Sequence, residues 1–221
     1  MGKRICEALN CLIEVLFPDK KFCLYCGKLE EYRFGLCNFC YAEVLKNKMT
    51  NKILRQYPLK VSFDEAYSVF RYEKMARDII IKLKYKEKIE LSLVIAYFMK
   101  ELLDELNLKF DCIVPVPIFK SKKSKRGFNQ ALAIADNLSR LTFVPVLDCV
   151  EKIKNTKSQT LFNDFDRWYN VKEVFKCKKD LTGKTVLLVD DVFTTGATAH
   201  YVSCALKECN AKKVIVLTFA S

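Results

Sequence analysis

Hydrophobic residues recur along the chain at two spacings, and the spacing predicts which segments are helices and which are strands. Apolar positions three or four residues apart predict helices over residues 5–16, 72–88, 91–106, 129–141 and 199–209, with a short lysine-rich helix over 41–54. Alternating or continuous apolar runs predict strands over residues 64–72, 111–117, 144–147, 185–189 and 213–219. Because strands alternate with helices, the sequence predicts an α/β fold with a mostly parallel sheet flanked by helices.

The chain lacks the features of an exported or membrane-inserted protein. Its longest apolar run, around residues 91–99, is shorter than the roughly 18 to 20 residues of a membrane helix. The basic start of the chain is followed by Glu7 and Glu14, which interrupt the apolar stretch that a signal peptide requires. We therefore expect no membrane insertion and a cytoplasmic location. In that compartment an odd number of cysteines, 11, favours metal binding and buried thiols over disulfides.

Two closely spaced cysteine pairs predict a metal site near the start of the chain. Cys23 and Cys26 form the first pair, and Cys37 and Cys40 form the second. Four thiolates satisfy the tetrahedral preference of zinc and leave no open coordination position, which predicts a structural zinc ion. A redox pair and an iron–sulfur centre are the competing interpretations. With the helix before it, this zinc-finger module is expected to occupy residues 1–58, ending at Pro58, and a larger domain residues 59–221.

A second candidate site follows the apolar strand at 185–189, where two acids and a threonine-rich turn open a helix. Asp190 and Asp191 are suited to accept hydrogen bonds from sugar hydroxyls or to hold hydrated magnesium. Hydroxyl groups, a glycine and the helix N-terminus are suited to bind a phosphate. The residues proposed for this role are Thr194, Thr195, Gly196, Ala197 and Thr198. An ordinary capped helix would explain a threonine but not the paired acids.

Residues 186–198 resemble the phosphoribosyl-pyrophosphate signature of type I phosphoribosyltransferases. The resemblance implies a type I phosphoribosyltransferase-like domain over residues 59–221, with 5-phosphoribosyl 1-pyrophosphate and magnesium as ligands. It implies that Asp190 and Asp191 hold the ribose hydroxyls or magnesium and that 194–198 hold the 5-phosphate. The pyrophosphate would lie beside the loop after the predicted strand at 111–117, near Pro117, Lys120 and Arg126. Purine-salvage members usually carry an acid where this chain has Thr194, which argues against hypoxanthine or guanine as the acceptor.

A narrower resemblance, to the ComF family of competence proteins, covers nearly the whole chain. It rests on both cysteine pairs, residues 72–85, the signature, and three further runs: Val114-Pro115-Val116-Pro117, Arg126-Gly127-Phe128-Asn129-Gln130 and Asn155-Thr156-Lys157-Ser158-Gln159. The chain departs from the family at Lys154 and at residues 167–169, where arginines are common. The resemblance implies a protein of DNA uptake and natural transformation that binds phosphoribosyl pyrophosphate and single-stranded DNA and meets competence or DNA-processing proteins. The alternative is an active phosphoribosyltransferase of nucleotide metabolism with an unidentified acceptor.

The net charge of +12 is the sequence feature that favours DNA as a partner. At 100° per residue, four basic residues share one side of the helix predicted over 72–88, and three lysines lie in the loop after Pro117. These candidates for nucleic-acid binding are Lys74, Arg77, Lys84, Lys88, Lys122, Lys123 and Lys125. A lysine-rich composition inherited from an AT-rich genome, with a simply solvated basic face, would account for the same charge.

Overall fold

The computed structural model describes residues 22–28, 32–49, 53, 60–85, 88–119, 127–153 and 174–221. Several sequence predictions lie outside these residues. They are the helix at 5–16, the domain boundary at Pro58, Lys120, the loop lysines Lys122, Lys123 and Lys125, Arg126, and the motifs at 155–159 and 167–171.

The described residues contain five helices and eight strands. The helices are α1 (Asn38–Leu45), α2 (Lys74–Tyr85), α3 (Leu91–Glu105), α4 (Gln130–Thr142) and α5 (Ala197–Glu208). The strands are β1 (Tyr32–Arg33), β2 (Leu36–Cys37), β3 (Glu65–Phe70), β4 (Cys112–Pro115), β5 (Val150–Lys152), β6 (Phe175–Cys177), β7 (Thr185–Val192) and β8 (Lys213–Ala220). None of the helices in the described part of the chain has the length and apolar character that a membrane crossing requires.

The central sheet has four parallel strands in the order β3-β8-β7-β4, which confirms the predicted fold class. The register places Val189 of β7 opposite Leu217 of β8 and opposite Pro115 of β4. Two-stranded antiparallel sheets, β1-β2 and β5-β6, lie apart from it. The fully buried run at 186–189 supplies the centre of the sheet, as its continuous apolar character predicted.

Helices cover both faces of the sheet, and alternate residues of β7 contribute to two cores. Leu187 and Val189 lie in the core formed with α2, α3 and α4. Val186 and Leu188 lie in the core formed with α5. Since successive side chains of a strand project to opposite faces, a side chain's position in β7 decides which helix layer it meets.

The structure differs from the predicted elements in several places. The helix expected at 41–54 is α1, which begins at Asn38 and ends at Leu45, and the helix expected at 72–88 ends at Tyr85, before Lys88. The strand expected at 144–147 is a single bridge between Val146 and Ile113. Strand β7 continues past residue 189 to Val192, because β8 supplies backbone partners as far as Ala220. The sequence did not predict the antiparallel pair β5-β6, whose strands have three residues each and are distant along the chain.

Candidate functional site

The two signature acids, Asp190 and Asp191, lie near the end of β7, and their surroundings differ. Asp190 lines a cavity at the carboxyl end of the strand. Asp191 is buried on the other face, where its Oδ2 lies 2.5 Å from Nζ of Lys84 in α2. The alternation of a strand accounts for this division. The acids were predicted to act together on sugar hydroxyls, and the structure places only Asp190 in the cavity wall.

The cavity lies where β7 gives way to α5. Gly196 is the N-cap residue of α5 and has a φ of 86°, a left-handed conformation that favours glycine. Beside it, Oγ1 of Thr195 accepts a hydrogen bond from the N–H of Ala197 at 3.4 Å. The lining residues are Val116, Asp190, Val192, Phe193, Thr194, Gly196, Thr198, Ala199, Val216 and Thr218. A helix of this length with threonine hydroxyls at its start is suited to bind an anion such as phosphate.

The lining agrees with part of the predicted phosphate-binding set. Thr194, Gly196 and Thr198 line the cavity, whereas Thr195 and Ala197 belong to the same turn without lining it. Sequence reasoning missed Thr218, which lies opposite Asp190 in the neighbouring strand β8. Its hydroxyl donates to the carbonyl oxygen of Tyr67 at 3.4 Å. A polar residue inside the otherwise apolar run of β8 was the available signal.

The segment after β4 closes one side of the cavity. The N–H of Val116 donates to the carbonyl oxygen of Val189 at 2.9 Å, and the next residue, Pro117, is buried. Asn129 holds this segment in place, since its Nδ2 donates to the carbonyl oxygen of Val116 at 3.1 Å. The same side chain caps α4, because Oδ1 accepts from the N–H of Ala131 at 3.1 Å. The Arg-Gly-Phe-Asn-Gln motif therefore includes a residue that positions the cavity wall.

The surroundings of Asp190 disfavour the ionised form of its carboxyl group. Burial and the neighbouring charge of Asp191 raise the pKa of Asp190 well above its usual range, although Lys84 acts in the opposite direction. The N–H of Asp191 donates to Oδ1 of Asp190 at 2.8 Å, which links the orientations of the two residues.

The single histidine, His200, has a structural environment in α5. His200 is buried in α5, and its Nδ1 accepts a hydrogen bond from the N–H of Ser62 at 3.1 Å. Burial lowers the pKa of His200. With Nδ1 occupied as an acceptor, the ring serves to join α5 to the segment that leads into β3.

The four cysteines of the two pairs converge, as their spacing predicted. The four Sγ atoms all lie within 4.8 Å of one another, and those of Cys26 and Cys37 are 3.8 Å apart. Sulfur atoms around a tetrahedral zinc ion, with Zn–S bonds of about 2.3 Å, lie about 3.8 Å apart. The N–H groups of Cys26 and Cys40 point at Sγ of Cys23 and Cys37, each at 3.5 Å. This cluster fits a structural metal ion.

Backbone groups also favour the ionised form of one of these thiols. Burial by itself would raise the pKa of Cys23, but hydrogen bonds from the backbone of Cys26, Cys37 and Tyr25 lower it to about 7. A thiolate is the form that binds zinc.

The turn between β1 and β2 needs a glycine, because Gly35 has a φ of 77° and a Cβ there would lie 2.7 Å from Cδ1 of Leu24.

The cysteine module packs directly on α2 and α3. The hydroxyl of Tyr25 donates to Oδ2 of Asp78 at 2.7 Å, and Nζ of Lys82 lies 3.7 Å from the centre of the Tyr25 ring. The ring of Phe34 stacks on that of Tyr97 at 4.7 Å. Cys23, Leu36, Cys37, Cys40 and Val44 share one core with these helices.

The predicted basic stripe on α2 is divided by its contacts. Lys74 and Arg77 are exposed. Lys84 pairs with Asp191, and Nζ of Lys88 donates to the carbonyl oxygen of Leu24 at 3.3 Å. Of two aromatic residues near the stripe, Tyr85 is exposed whereas Phe70 is fully buried. The exposed part of the stripe is therefore its first half.

Comparisons with known proteins show the family to which the chain belongs. Residues 85–221 match the model of the phosphoribosyl transferase domain family. The competence protein ComFC of Bacillus subtilis is 27% identical over 92% of this chain and 85% of its own length. Competence protein F of Haemophilus influenzae is 26% identical over 88% of this chain and 94% of its own length. The DNA utilization protein YhgH of Escherichia coli is 31% identical over 48% of this chain and 47% of its own length.

One solved structure to which the chain shows similarity is the glutamine phosphoribosylpyrophosphate amidotransferase of B. subtilis, in complex with ADP and GMP. It is 18% identical, with a TM-score of 0.41 over 59% of this chain and 27% of its own length.

Proposed function

The chain belongs to the phosphoribosyltransferase family and, within it, is a homologue of the ComF competence proteins, and from this premise we propose that it binds 5-phosphoribosyl 1-pyrophosphate with magnesium. The observation that carries the proposal is the cavity at the start of α5, where Asp190, Thr194, Gly196 and Thr198 meet. Those residues combine a carboxyl group, two hydroxyls and a helix N-terminus, and a phosphorylated sugar has matching groups.

We assign each part of the ligand either to residues of the cavity or to the segment that includes and follows Pro117. The 5-phosphate would bind the N–H groups and threonine hydroxyls at the start of α5, and the ribose hydroxyls would face Asp190. The pyrophosphate would extend toward Pro117 and the loop that carries Lys120 and Arg126. Carboxylate oxygens suit magnesium, so Asp190 fits a role in holding the ion or the sugar hydroxyls that it bridges. Magnesium would neutralise the charge of the pyrophosphate when bound.

Isothermal calorimetry with phosphoribosyl pyrophosphate and magnesium tests this proposal. We expect the wild-type chain to bind with micromolar affinity and the double variant Asp190→Ala, Asp191→Ala to show no binding heat, because it lacks both carboxylates. The matched control is Asp180→Ala, which removes an exposed acid that does not line the cavity. Absence of binding by the wild-type chain, or equal binding by the double variant, would contradict the proposal.

The second part of the proposed function is binding of single-stranded DNA during DNA uptake, in the cytoplasm and together with DNA-processing proteins. The net charge of +12 and the exposed Lys74 and Arg77 support it. The nine described cysteines are all free thiols, which is consistent with that compartment. Transfer of the phosphoribosyl group to an acceptor is the alternative. Thr194 at the cavity has no carboxylate to act as the base for a purine.

The salt dependence of binding to a labelled oligonucleotide tests the DNA proposal. The logarithm of the affinity should fall linearly with the logarithm of salt, with a slope of about −0.7 for each phosphate contact. The variant Lys74→Ala, Arg77→Ala should flatten that slope by up to about 1.4. Lys207→Ala is the control, because this lysine pairs with Asp64 at 2.8 Å. A slope near zero for the wild-type chain would rule out the basic surface as the binding face.

A further inference from the structure

Helix α2 packs on the face of the sheet opposite α5 and contacts the signature strand β7 from that face. It follows the edge strand β3, and the order β3-β8-β7 means that it must pass β8 to meet β7. Its last turn carries Lys84, whose Nζ lies 2.5 Å from Oδ2 of Asp191. The side chains of Lys84 and Asp191 are only 22% and 8% exposed, so this ion pair is largely shielded from water. A shielded pair at this distance is a specific contact rather than part of a solvated basic face.

The ion pair is connected to the cavity through Asp191 itself. The carboxylate of Asp191 contacts Lys84, and its N–H donates to Oδ1 of Asp190 at 2.8 Å. Asp190 in turn lines the cavity with Thr194 and Thr198. Displacement of Asp191 would therefore change the orientation of the one acid that faces the ligand.

The position of Lys84 is also held by contacts that other residues of the same helix make. Asp78 of α2 accepts a hydrogen bond from the hydroxyl of Tyr25, and Lys82 lies over the ring of Tyr25 at 3.7 Å. Ile79, Ile80 and Leu83 are fully buried in the core below. Because these contacts fix α2 in place, they also hold Lys84 beside Asp191.

We propose that Lys84 is a positioning residue of the phosphoribosyl site, which acts through Asp191 to orient Asp190 toward the ribose hydroxyls. The proposal rests on the proposed binding of phosphoribosyl pyrophosphate. It assigns Lys84 to this site rather than to the DNA-binding stripe with Lys74 and Arg77. It also gives the two signature acids separate roles, with Asp190 on the ligand and Asp191 on the lysine.

Calorimetry with two probes distinguishes this role from direct contact with phosphate and from a general effect on folding. The probes are phosphoribosyl pyrophosphate and inorganic pyrophosphate, each with magnesium, the latter measured by competition if it binds weakly. Lys84→Met should weaken binding of phosphoribosyl pyrophosphate by about tenfold or more, within the range of couplings between linked groups. Binding of inorganic pyrophosphate, which has no ribose, should be unchanged.

Two further variants serve as controls. Lys84→Arg keeps the positive charge beside Asp191 and should restore most of the affinity for phosphoribosyl pyrophosphate. Lys212→Met removes the same charge from an exposed position outside the cavity lining and should leave both affinities unchanged. Melting temperatures of all variants show whether a change in affinity follows a change in stability.

The outcomes separate this proposal from the one on which it rests. If the wild-type chain binds phosphoribosyl pyrophosphate and Lys84→Met binds it equally well, the role of Lys84 is wrong and the proposed function stands. Equal losses of both ligands in Lys84→Met would also overturn that role. If the wild-type chain does not bind, both proposals fail. Should Lys84→Met not fold, the arginine variant decides, since a folded Lys84→Arg that loses affinity tenfold contradicts the proposal.

Discussion

Replacement of Cys40 by serine is expected to release the predicted zinc ion, one equivalent per chain. It is also expected to lower the melting temperature more than replacement of any cysteine outside the cluster. Structural zinc contributes apparent binding free energies of about 10–16 kcal/mol in small zinc modules, and that energy is coupled to folding. Cys40 is 2% exposed, and the cluster shares its core with α2 and α3. Loss of the metal should therefore loosen the contact of the module with both helices. Calorimetric melting and metal analysis of the purified chain measure the two effects.

The matched control for this prediction is Cys112→Ser. Cys112 is 1% exposed and belongs to the other core, so its replacement introduces a buried hydroxyl without touching the cluster. That change is expected to cost about 1–3 kcal/mol and to leave the zinc content unchanged. Equal losses of stability in the two variants would contradict a structural metal. Visible absorbance with bound iron would favour the iron–sulfur interpretation, and a disulfide without metal would favour the redox one.

Asp190→Asn is expected to abolish binding of phosphoribosyl pyrophosphate and, in magnesium-free buffer, to raise the melting temperature at neutral pH. The pKa of Asp190 is well above its usual range because of burial and the charge of Asp191. As the pH rises above about 4, an unfolded Asp loses its proton while the folded one keeps it, so folding stability falls until the folded pKa is passed. Asparagine has no proton to lose. The gain from the variant should therefore grow with pH over that window.

The size of this effect should be readily measurable. In a chain of this length, about 1 kcal/mol corresponds to about 2–4 °C in melting temperature, and we expect a rise of at least that size at pH 7 to 8. Melting curves from pH 4 to pH 8 for the wild-type chain and the variant provide the comparison. Such a gain would mean that the cavity keeps a destabilising acid for the sake of its ligand.

A control of opposite sign is Asp64→Asn. Although burial acts to raise the pKa of Asp64, hydrogen bonds from Lys207 and from the N–H of Val214 lower it below its usual value. Its ionised form therefore contributes stability above the unfolded pKa, and that contribution is lost as the pH falls through the folded pKa. Asp64→Asn should destabilise the protein at pH 7 and have less effect in acid. If Asp190→Asn instead lowered the melting temperature at every pH, the pKa of Asp190 would not be raised in the folded protein.

Local patterns in the sequence were sufficient for most of the elements and for the cysteine centre. The helical repeat of α2 predicted its buried stripe, and the continuous apolar run at 186–189 predicted a strand inside a parallel sheet. The spacing of Cys23, Cys26, Cys37 and Cys40 predicted a convergent cluster. These features depend on neighbours within one or two turns of chain, and hydrophobic periodicity records which face such a segment buries.

For the second candidate site, the sequence predicted the residues but not their arrangement. Residues 190–198 were predicted to form a ligand-binding turn because acids, threonines and a glycine occur together at the end of a strand. The motif could not show that Asp190 and Asp191 face different layers, because that depends on how far β7 remains paired with β8. Nor could it identify Thr218, which lies in β8, or Val116, which follows β4.

What only the tertiary structure decided is which residues from distant parts of the chain become partners. The sequence determined that Lys84 is basic and lies on a helix, and its periodicity grouped it with Lys74 and Arg77. Only the packing of α2 across the sheet places Lys84 beside Asp191 and leaves the first half of the stripe exposed. The physical reason is that periodicity specifies the direction of a side chain from its own helix, whereas the identity of its partner depends on how separate elements pack together.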